Sequence, residues 1–339
     1  MNRLFTLKQT LPGNIECCRK YPNAQVVLLD YNSTDGLEHW IKDNFYQYIE
    51  QGLLVFYKLI DPQPRFFSHS HSRNIAFRLA TGNILCNVNA DYHVGDNILT
   101  YINEAMQVTE QLALIAHLDD SDRDNLGRIC LRNKDFNLVG GFDETFKGYG
   151  YEDIDLNMRL KMAGVRLQYL PGAFYNAYVE HEDVSRLENS YDYHHLKRAF
   201  VRKIERGKSS VLFLYEDHQL ETGTLIKSSH NFPDIQEEGW LKGYWQQAAD
   251  EISLDGLPGG TVRYREDLSA DVPRLLRGNE VYKEVTGEQN RRKLLLNKSI
   301  IQNYQMMKNR RKSGQFRANT AGFGNGVVIR NFSDTIELR

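Results

Sequence analysis

Val139-Gly140-Gly141-Phe142-Asp143-Glu144-Thr145-Phe146-Lys147-Gly148-Tyr149-Gly150-Tyr151-Glu152-Asp153-Ile154-Asp155-Leu156 is the stretch around which the chain is organised. A glycine pair is followed by two more glycines flanking a tyrosine, then by three acids within four residues. Leu156, Leu160 and Ala163 recur near helical spacing, so the acids fall on the first turn of a helix. Free N–H groups at a helix start favour negative charge. An acidic cap is the plainer account of any one of these residues. It does not account for three, because like charges this close repel and a cap needs a single acid.

On the N-terminal side the pattern alternates. Leu4 to Tyr21 reads as a helix containing Pro12, and Ala24 to Leu29 as a buried strand. That strand ends in the turn formers Asp30-Tyr31-Asn32-Ser33-Thr34-Asp35-Gly36. Leu37, Trp40, Ile41, Phe45 and Tyr48 mark the apolar face of a second helix. Leu53 to Leu59 is a strand, Ser72 to Ala80 a helix, and Ile84-Leu85-Cys86 a buried strand running into Asn87-Val88-Asn89-Ala90-Asp91. Helix Ile98 to Gln107 and strands Leu112 to Ala116, Ile129 to Arg132 and Val165 to Leu170 follow. This alternation predicts a doubly wound α/β sheet, whose ligands bind at the carboxyl ends of the strands. Asp30 to Asp35 and Asn89 to Asp91 lie there. Asp119, Asp120, Asp122 and Asp124 read as a solvated connection.

Beyond about residue 200 the pattern changes. Ser209 to Tyr215 reads as a strand, Trp240, Tyr244 and Trp245 as an aromatic cluster, and Glu288 to Lys312 as one long helix. Gly322 to Arg330 reads as a loop entering a short strand. The expected organisation is a core over 1–200, an insertion over 201–287, and a helix and tail over 288–339 that pack back on the core. The aromatic cluster is read as core filling rather than as a sugar-stacking surface. The basic run Lys308-Asn309-Arg310-Arg311-Lys312 is read as a solvated helix end, with membrane docking the lesser alternative.

Bulk properties set the class. The chain has 339 residues, 41% hydrophobic and 25% charged, with a net charge of −2. These are globular values and argue against nucleic-acid binding. Cys17, Cys18, Cys86 and Cys130 make neither a zinc pattern nor a disulfide framework, so a reducing cytoplasm is expected. No signal peptide or membrane-length apolar run is seen. The location expected is cytoplasmic, with peripheral contact at the inner membrane face compatible with it.

If Asp30, Asp91, Glu152 and His181 converged on one cleft, they would suit displacement of a nucleoside diphosphate from a sugar. A sheet-end carboxylate can hold ribose hydroxyls or a base edge. Asp91 could hold Mg²⁺ or Mn²⁺, and an imidazole shifts the balance toward Mn²⁺. The cation neutralises a diphosphate leaving group, and an acid opposite removes a proton from the incoming hydroxyl. Singly, each residue has a plainer account: an Asp at a strand end is commonly a turn residue, and a lone His a surface or core residue.

In order and spacing, these residues resemble nucleotide-sugar glycosyltransferases of the GT-A fold, the large family-2-like group. The second half is similar to the galactosyltransferase-type carboxyl segment of β-1,4-galactosyltransferases and chondroitin-polymerase-like enzymes. Val27 to Gly36 looks like the first nucleotide loop. Arg73-Asn74-Ile75-Ala76 and Ala80 to Leu85 look like the approach to the metal motif. Asn89-Ala90-Asp91 occupies the DxD position, and Gly140 to Asp155, with Arg159-Leu160 and Gly164, the acceptor and catalytic segment. The resemblance covers about residues 2 to 185. It implies a metal-dependent, inverting transferase using Mn²⁺ or Mg²⁺. The donor would be a UDP-sugar, and the acceptor a glycan, a lipid-linked group or another hydroxyl, as in polysaccharide biosynthesis. Asp153 would be the base and Glu152 an acceptor contact beside Tyr149 and Gly150. Asp30, Asn32, Asp35, Arg73, Asn74 and Asn89 would contact the donor, and Asp91 and His181 the metal. The Gly148-Tyr149-Gly150 hinge would suit a loop ordering over the donor.

Two departures accompany it. Position 89 carries Asn where the family has Asp, which keeps an oxygen but loses a charge. The family also has a strand before its first helix; either the chain start is truncated or the expected sheet lacks that first strand. Both keep open a non-catalytic sugar- or nucleotide-binding module derived from this fold. A sugar-phosphate nucleotidyltransferase is disfavoured by the lack of a glycine-rich basic loop near the start.

Overall fold

A computed structural model of the chain describes residues 1–116, 127–171, 174, 179, 187–226 and 239–339. The chain divides into two units, Met1–Glu182 with Asn303–Arg339, and Asp183–Gln302. These boundaries differ from the expected ones at 200 and 287. The second unit takes in 183–200 as well as the first part of the long helix.

The first unit alternates as its apolar periodicity predicts. Helix α1 (Leu4–Arg19) buries Leu7, Leu11, Ile15 and Cys18 at helical spacing, and it passes through Pro12 at the loss of one helical hydrogen bond. Strand β1 (Val26–Asp30) pairs in parallel with β2 (Leu54–Asp61), joined by α2 (Leu37–Glu50). Helix α3 (His69–Leu79) starts at Ser68, whose hydroxyl accepts from the His71 N–H. Then come β3 (Ile84–Cys86), α4 (Ile98–Val108), β4 (Leu112–Ile115), β5 (Ile129–Arg132), α5 (Asn133–Leu138), α6 (Glu152–Met162) and β6 (Arg166–Tyr169).

The mixed α/β class holds, but the strands of this unit are divided between two four-stranded sheets rather than placed in one. One has the order β1-β2-β15-β16, where β15 (Gly326–Arg330) and β16 (Asp334–Leu338) come from the tail; the other is β3-β5-β4-β6. The tail strand β15 runs antiparallel to β2, so residues near 330 complete a sheet begun near 26. The acidic connection at Asp119–Asp124 lies outside the described residues.

Among its described residues the second unit holds α7 (Tyr191–His195) and eight strands: β7 (Leu196–Glu205), β8 (Lys208–Tyr215), β9 (Gln219–Ile226), β10 (Leu241–Ala248), β11 (Glu251–Asp255), β12 (Val262–Asp267), β13 (Arg274–Arg277) and β14 (Glu280–Glu284). They close into a barrel of order β10-β11-β12-β13-β14-β7-β8-β9. Closure removes exposed sheet edges. Phe200, Leu212, Trp245, Leu254, Tyr264 and Leu275 are in its core. Strand alternation splits the aromatic cluster: Trp245 is buried, its Nε1 donating to the Tyr215 carbonyl at 2.9 Å, while Tyr244 is 62% exposed. Core filling therefore accounts for Trp245 but not for Tyr244. Helix α8 (Glu288–Ser313) begins in this unit. Its buried Lys298 binds Asp192 and the Tyr215 hydroxyl, each at 2.7 Å, and also Glu221.

The glycine pair of the opening stretch is explained by the tail. Gly140 and Gly141 have φ of +73° and +68°. A Cβ at Gly140 would lie 2.2 Å from the Ala318 carbonyl oxygen, and one at Gly141 2.8 Å from the Phe323 ring. Gly140→Ala should therefore destabilise the first unit by about 3 kcal/mol or more, the sum of left-handed strain and a backbone clash. Scanning calorimetry checks this: the thermal midpoint is expected to drop by several degrees, and an unchanged midpoint would refute the packing account.

Candidate functional site

Helix α6 begins at Glu152 after Tyr151, which takes a left-handed φ of +71°. The chain turns sharply there, and Glu152 reaches Arg73 of α3. Glu152 is 3% exposed. Its Oε1 accepts from Arg73 Nη1 at 2.8 Å, and its Oε2 accepts from the Gly150 N–H at 3.1 Å. Burial by itself would raise the Glu152 pKa, but the Arg73 guanidinium overrides it and holds the carboxyl below its ordinary range. Asp153, half-buried beside it, goes the other way. Burial first, then the charge of Glu152, push it up from 3.8 to about 6. Its Oδ1 accepts from the Ile154 N–H at 2.8 Å. Two adjacent carboxylates thus have environments that drive their proton affinities apart.

Asp155, third in the cluster, is fully buried and accepts from Arg159 Nε at 2.7 Å. Arg159 Nη1 also donates to the Val139 carbonyl at 2.8 Å. Asp155 is a brace between the helix and the glycine stretch.

The glycine loop before α6 is held by residues that no local pattern announces. Asn303, on α8 and nearly fully buried, donates through Nδ2 to the carbonyls of Lys147, Tyr149 and Gly150 at 2.9, 3.4 and 2.8 Å. Tyr304 packs against Tyr151 with ring centroids 5.3 Å apart. Arg310 pairs with Asp143 and lies 3.6 Å from Asp155. Arg310 is therefore not part of a solvated helix end: it neutralises acids of the opening stretch. Tyr149 lies against His69, centroids 5.6 Å apart, and its carbonyl is one of those Asn303 binds. The hinge expected at Gly148-Tyr149-Gly150 is thus tied down along its backbone.

Arg73 and Asn89 meet at one place: a Cβ at Gly127 would lie 3.0 Å from Arg73 Nη2 and 3.3 Å from Asn89 Nδ2. The Asn89 amide oxygen accepts from Asn87 Nδ2 at 3.0 Å. Arg73, Asn89, Glu152 and Asp153 are brought together in this way. Asn74 is not a free donor contact. It is fully buried, and its amide bonds Phe142 N–H, Phe142 carbonyl and Glu144 at 2.8 Å each. Its polar atoms are used in bracing the segment.

The expected nucleotide loop is satisfied within its own surroundings. Asp30 is buried and accepts from the Ser33 N–H at 2.7 Å; burial raises its pKa despite the Ser33 bonds. Asn32 has φ +53° and donates to the Pro64 carbonyl at 3.2 Å. Asp35 accepts from Leu4 N–H at 2.8 Å and Leu37 N–H at 3.3 Å, at the starts of α1 and α2. Asp91 is half-buried, and its carbonyl accepts from Val179 N–H at 2.8 Å. His181 lies outside the described residues. Among the described residues, no group of three or more His, Cys, Asp or Glu is clustered for a metal. The Asp91 carboxylate and the Asn89 amide oxygen, which accepts from Asn87, are hard oxygen donors. Such a pair fits Mg²⁺ or Mn²⁺, which are commonly held by one or two carboxylates together with substrate phosphates. No helix among the described residues is long and apolar enough to cross a membrane.

Residues 125–183, which contain the opening stretch, match the family model described as the N-terminal domain of galactosyltransferase. The rhamnosyltransferase WbbL of Escherichia coli K12 is 41% identical over 72 residues, 21% of this chain and 26% of that protein. The chain thus matches about a quarter of the length of this curated relative. Among solved structures, Staphylococcus aureus TarS 1–349 overlaps with a TM-score of 0.42 at 15% identity, covering 52% of this chain and 57% of that one. GalNAc-T7, solved with UDP, GalNAc and Mn²⁺, gives 0.42 at 12% identity, covering 84% and 77%. These overlaps are too loose for residue roles to be carried across.

Proposed function

We propose that this chain is a glycosyltransferase that moves a sugar from a nucleoside-diphosphate donor, UDP-linked, to an acceptor hydroxyl with inversion. The observation that carries this reading is the opposed pair at the start of α6, inside the segment that matches the galactosyltransferase model. Arg73 keeps Glu152 ionised, and burial together with the Glu152 charge brings Asp153 toward the pKa a base needs at neutral pH. Asp153 takes the proton from the attacking hydroxyl. Both Glu152 oxygens are already engaged, so Glu152 is assigned to tuning Asp153 and holding the loop rather than to binding the acceptor. Tyr149 and Gly150 border the acceptor side. Arg73 and Asn89 face the donor phosphates, and Asp30, Asn32 and Asp35 shape the loop under the nucleoside. Asp91, the Asn89 amide oxygen and His181 would hold Mn²⁺ or Mg²⁺, which neutralises charge on the departing diphosphate.

Titration calorimetry with UDP, with and without Mn²⁺, followed by donor hydrolysis across a panel of nucleotide sugars, tests the proposal. Binding strengthened about tenfold or more by Mn²⁺, with turnover of at least one donor, is the expected result. Binding without turnover would favour a non-catalytic module, and no nucleotide binding at all would sink both.

A further inference from the structure

The four cysteines, scattered in sequence, are not scattered in the fold. Strands β3 and β5 pair antiparallel with Cys86 directly opposite Cys130. The flanking bonds run from Asn87 N–H to the Ile129 carbonyl and from Asn133 N–H to the Asn83 carbonyl. Bonded pairs alternate along an antiparallel ladder, so a bond at Asn87–Ile129, next to the cysteines, and one at Asn83–Asn133, three places along, make Cys86–Cys130 a non-hydrogen-bonded pair. At such positions the Cα atoms are about 4.5 Å apart and side chains approach closely. A disulfide needs Cα atoms about 4.4–6.8 Å apart. The Cys86 thiol first, and burial second, push the Cys130 thiol well above its ordinary range, as expected for two thiols facing each other across the ladder. Cys130 is buried, and Cys86 is half-exposed at the end of its strand. Cys18, on α1, is buried close to Cys86 but has no strand register holding it opposite another thiol.

We infer that Cys86 and Cys130 form a reversible dithiol/disulfide site. Cys86, the accessible member, attacks one sulfur of a small-molecule disulfide and releases one thiol. Cys130 then displaces the second thiol from the mixed disulfide, and the Cys86–Cys130 bond forms. Two electrons pass from the protein thiols to the oxidant, and their two protons go to the released thiols. The bridge pins the end of β3, immediately before Asn87-Val88-Asn89-Ala90-Asp91, to the adjacent strand. It closes the segment between residues 86 and 130.

The folded parent chain is incubated with excess oxidised glutathione, alkylated, digested without reduction and mapped by mass spectrometry. A Cys86–Cys130 linked peptide is expected, lighter by two hydrogens than its parts and lost on adding dithiothreitol. It should persist in Cys17→Ser and be absent in Cys86→Ser. Oxidation should raise the thermal midpoint by roughly 5–10 °C, reversibly with reductant. A Cys18–Cys86 or Cys17–Cys18 bridge in its place overturns the inference. So does glutathione retained on Cys86 with no transfer to Cys130. Because the map is read on the parent chain, a variant that fails to fold does not spoil it.

Discussion

Asp153→Asn should abolish sugar transfer while making the folded chain more stable at neutral pH. The two effects have one cause. Asp153 is held in a half-buried site next to an ionised Glu152, and its carboxyl is pushed up to about 6. A group whose folded pKa exceeds its unfolded one stabilises the fold fully below the unfolded value, near 3.8, and that contribution is lost as pH rises through about 6. At neutral pH its ionisation therefore works against folding, by ~1–3 kcal/mol at the roughly 1.4 kcal/mol carried by each pKa unit. Asparagine removes the charge and keeps the oxygen that accepts from the Ile154 N–H. The thermal midpoint of Asp153→Asn should rise by a few degrees, while the loss of a positioned base costs about 10²–10⁴ in kcat. In the parent, kcat should climb with pH through about 6 as Asp153 ionises. UDP binding should be unchanged in the variant, because the role assigned to Asp153 is toward the acceptor. Retained transfer would end the assignment of Asp153 as base. Lost transfer with lowered stability would point to a purely structural role.

Arg159→Met should cost ~3 kcal/mol of stability, the low end of the penalty for breaking a buried ion pair, because Asp155 loses its hydrogen-bonded partner and keeps only Arg310 at 3.6 Å. Arg159 and Asp155 are both fully buried. Burial already pushes the Asp155 carboxyl up in spite of Arg159, and in the variant it should rise further. The deficit should therefore be largest at neutral pH and shrink in acid, where Asp155 can take a proton. The Val139 carbonyl loses one donor but keeps the Ala318 N–H at 2.9 Å, so the charge and not that bond dominates. Pairing Arg159→Met with Asp155→Leu should recover most of the loss, since apolar replacements for a buried ion pair are commonly neutral. Denaturant unfolding of the single and double variants, at acid and neutral pH, checks both statements. A single variant as stable as the parent, or a double variant no better than the single, would refute the account.

Much of the first unit was legible because its signals are local. Leu37, Ile41 and Phe45 recur at helical spacing, and their helix forms where that spacing places it. The three acids were visible as a cluster too dense for a cap, and two are the opposed pair while the third is a buried brace. The barrel was not legible. Buried charged groups on its strands, such as Arg198 bound to Glu266 and Glu284, interrupt the period-two pattern. Asn303 and Arg310 carried no signal because their partners are 153 and 167 residues away.

By itself the sequence determined where the helix of Glu152 starts, that glycine-rich chain precedes it, and that charged chemistry gathers there. Spacing and composition encode such features within a single turn or strand. Tertiary structure alone decided what those residues do to one another. Arg73 of α3 sets the charge of Glu152, burial with the Glu152 charge raises Asp153, and the tail over Gly140 with Asn303 over Gly150 fixes the loop. Proton affinity depends on burial and on charges within a few ångströms, and only folding brings those charges from distant parts of the chain into range.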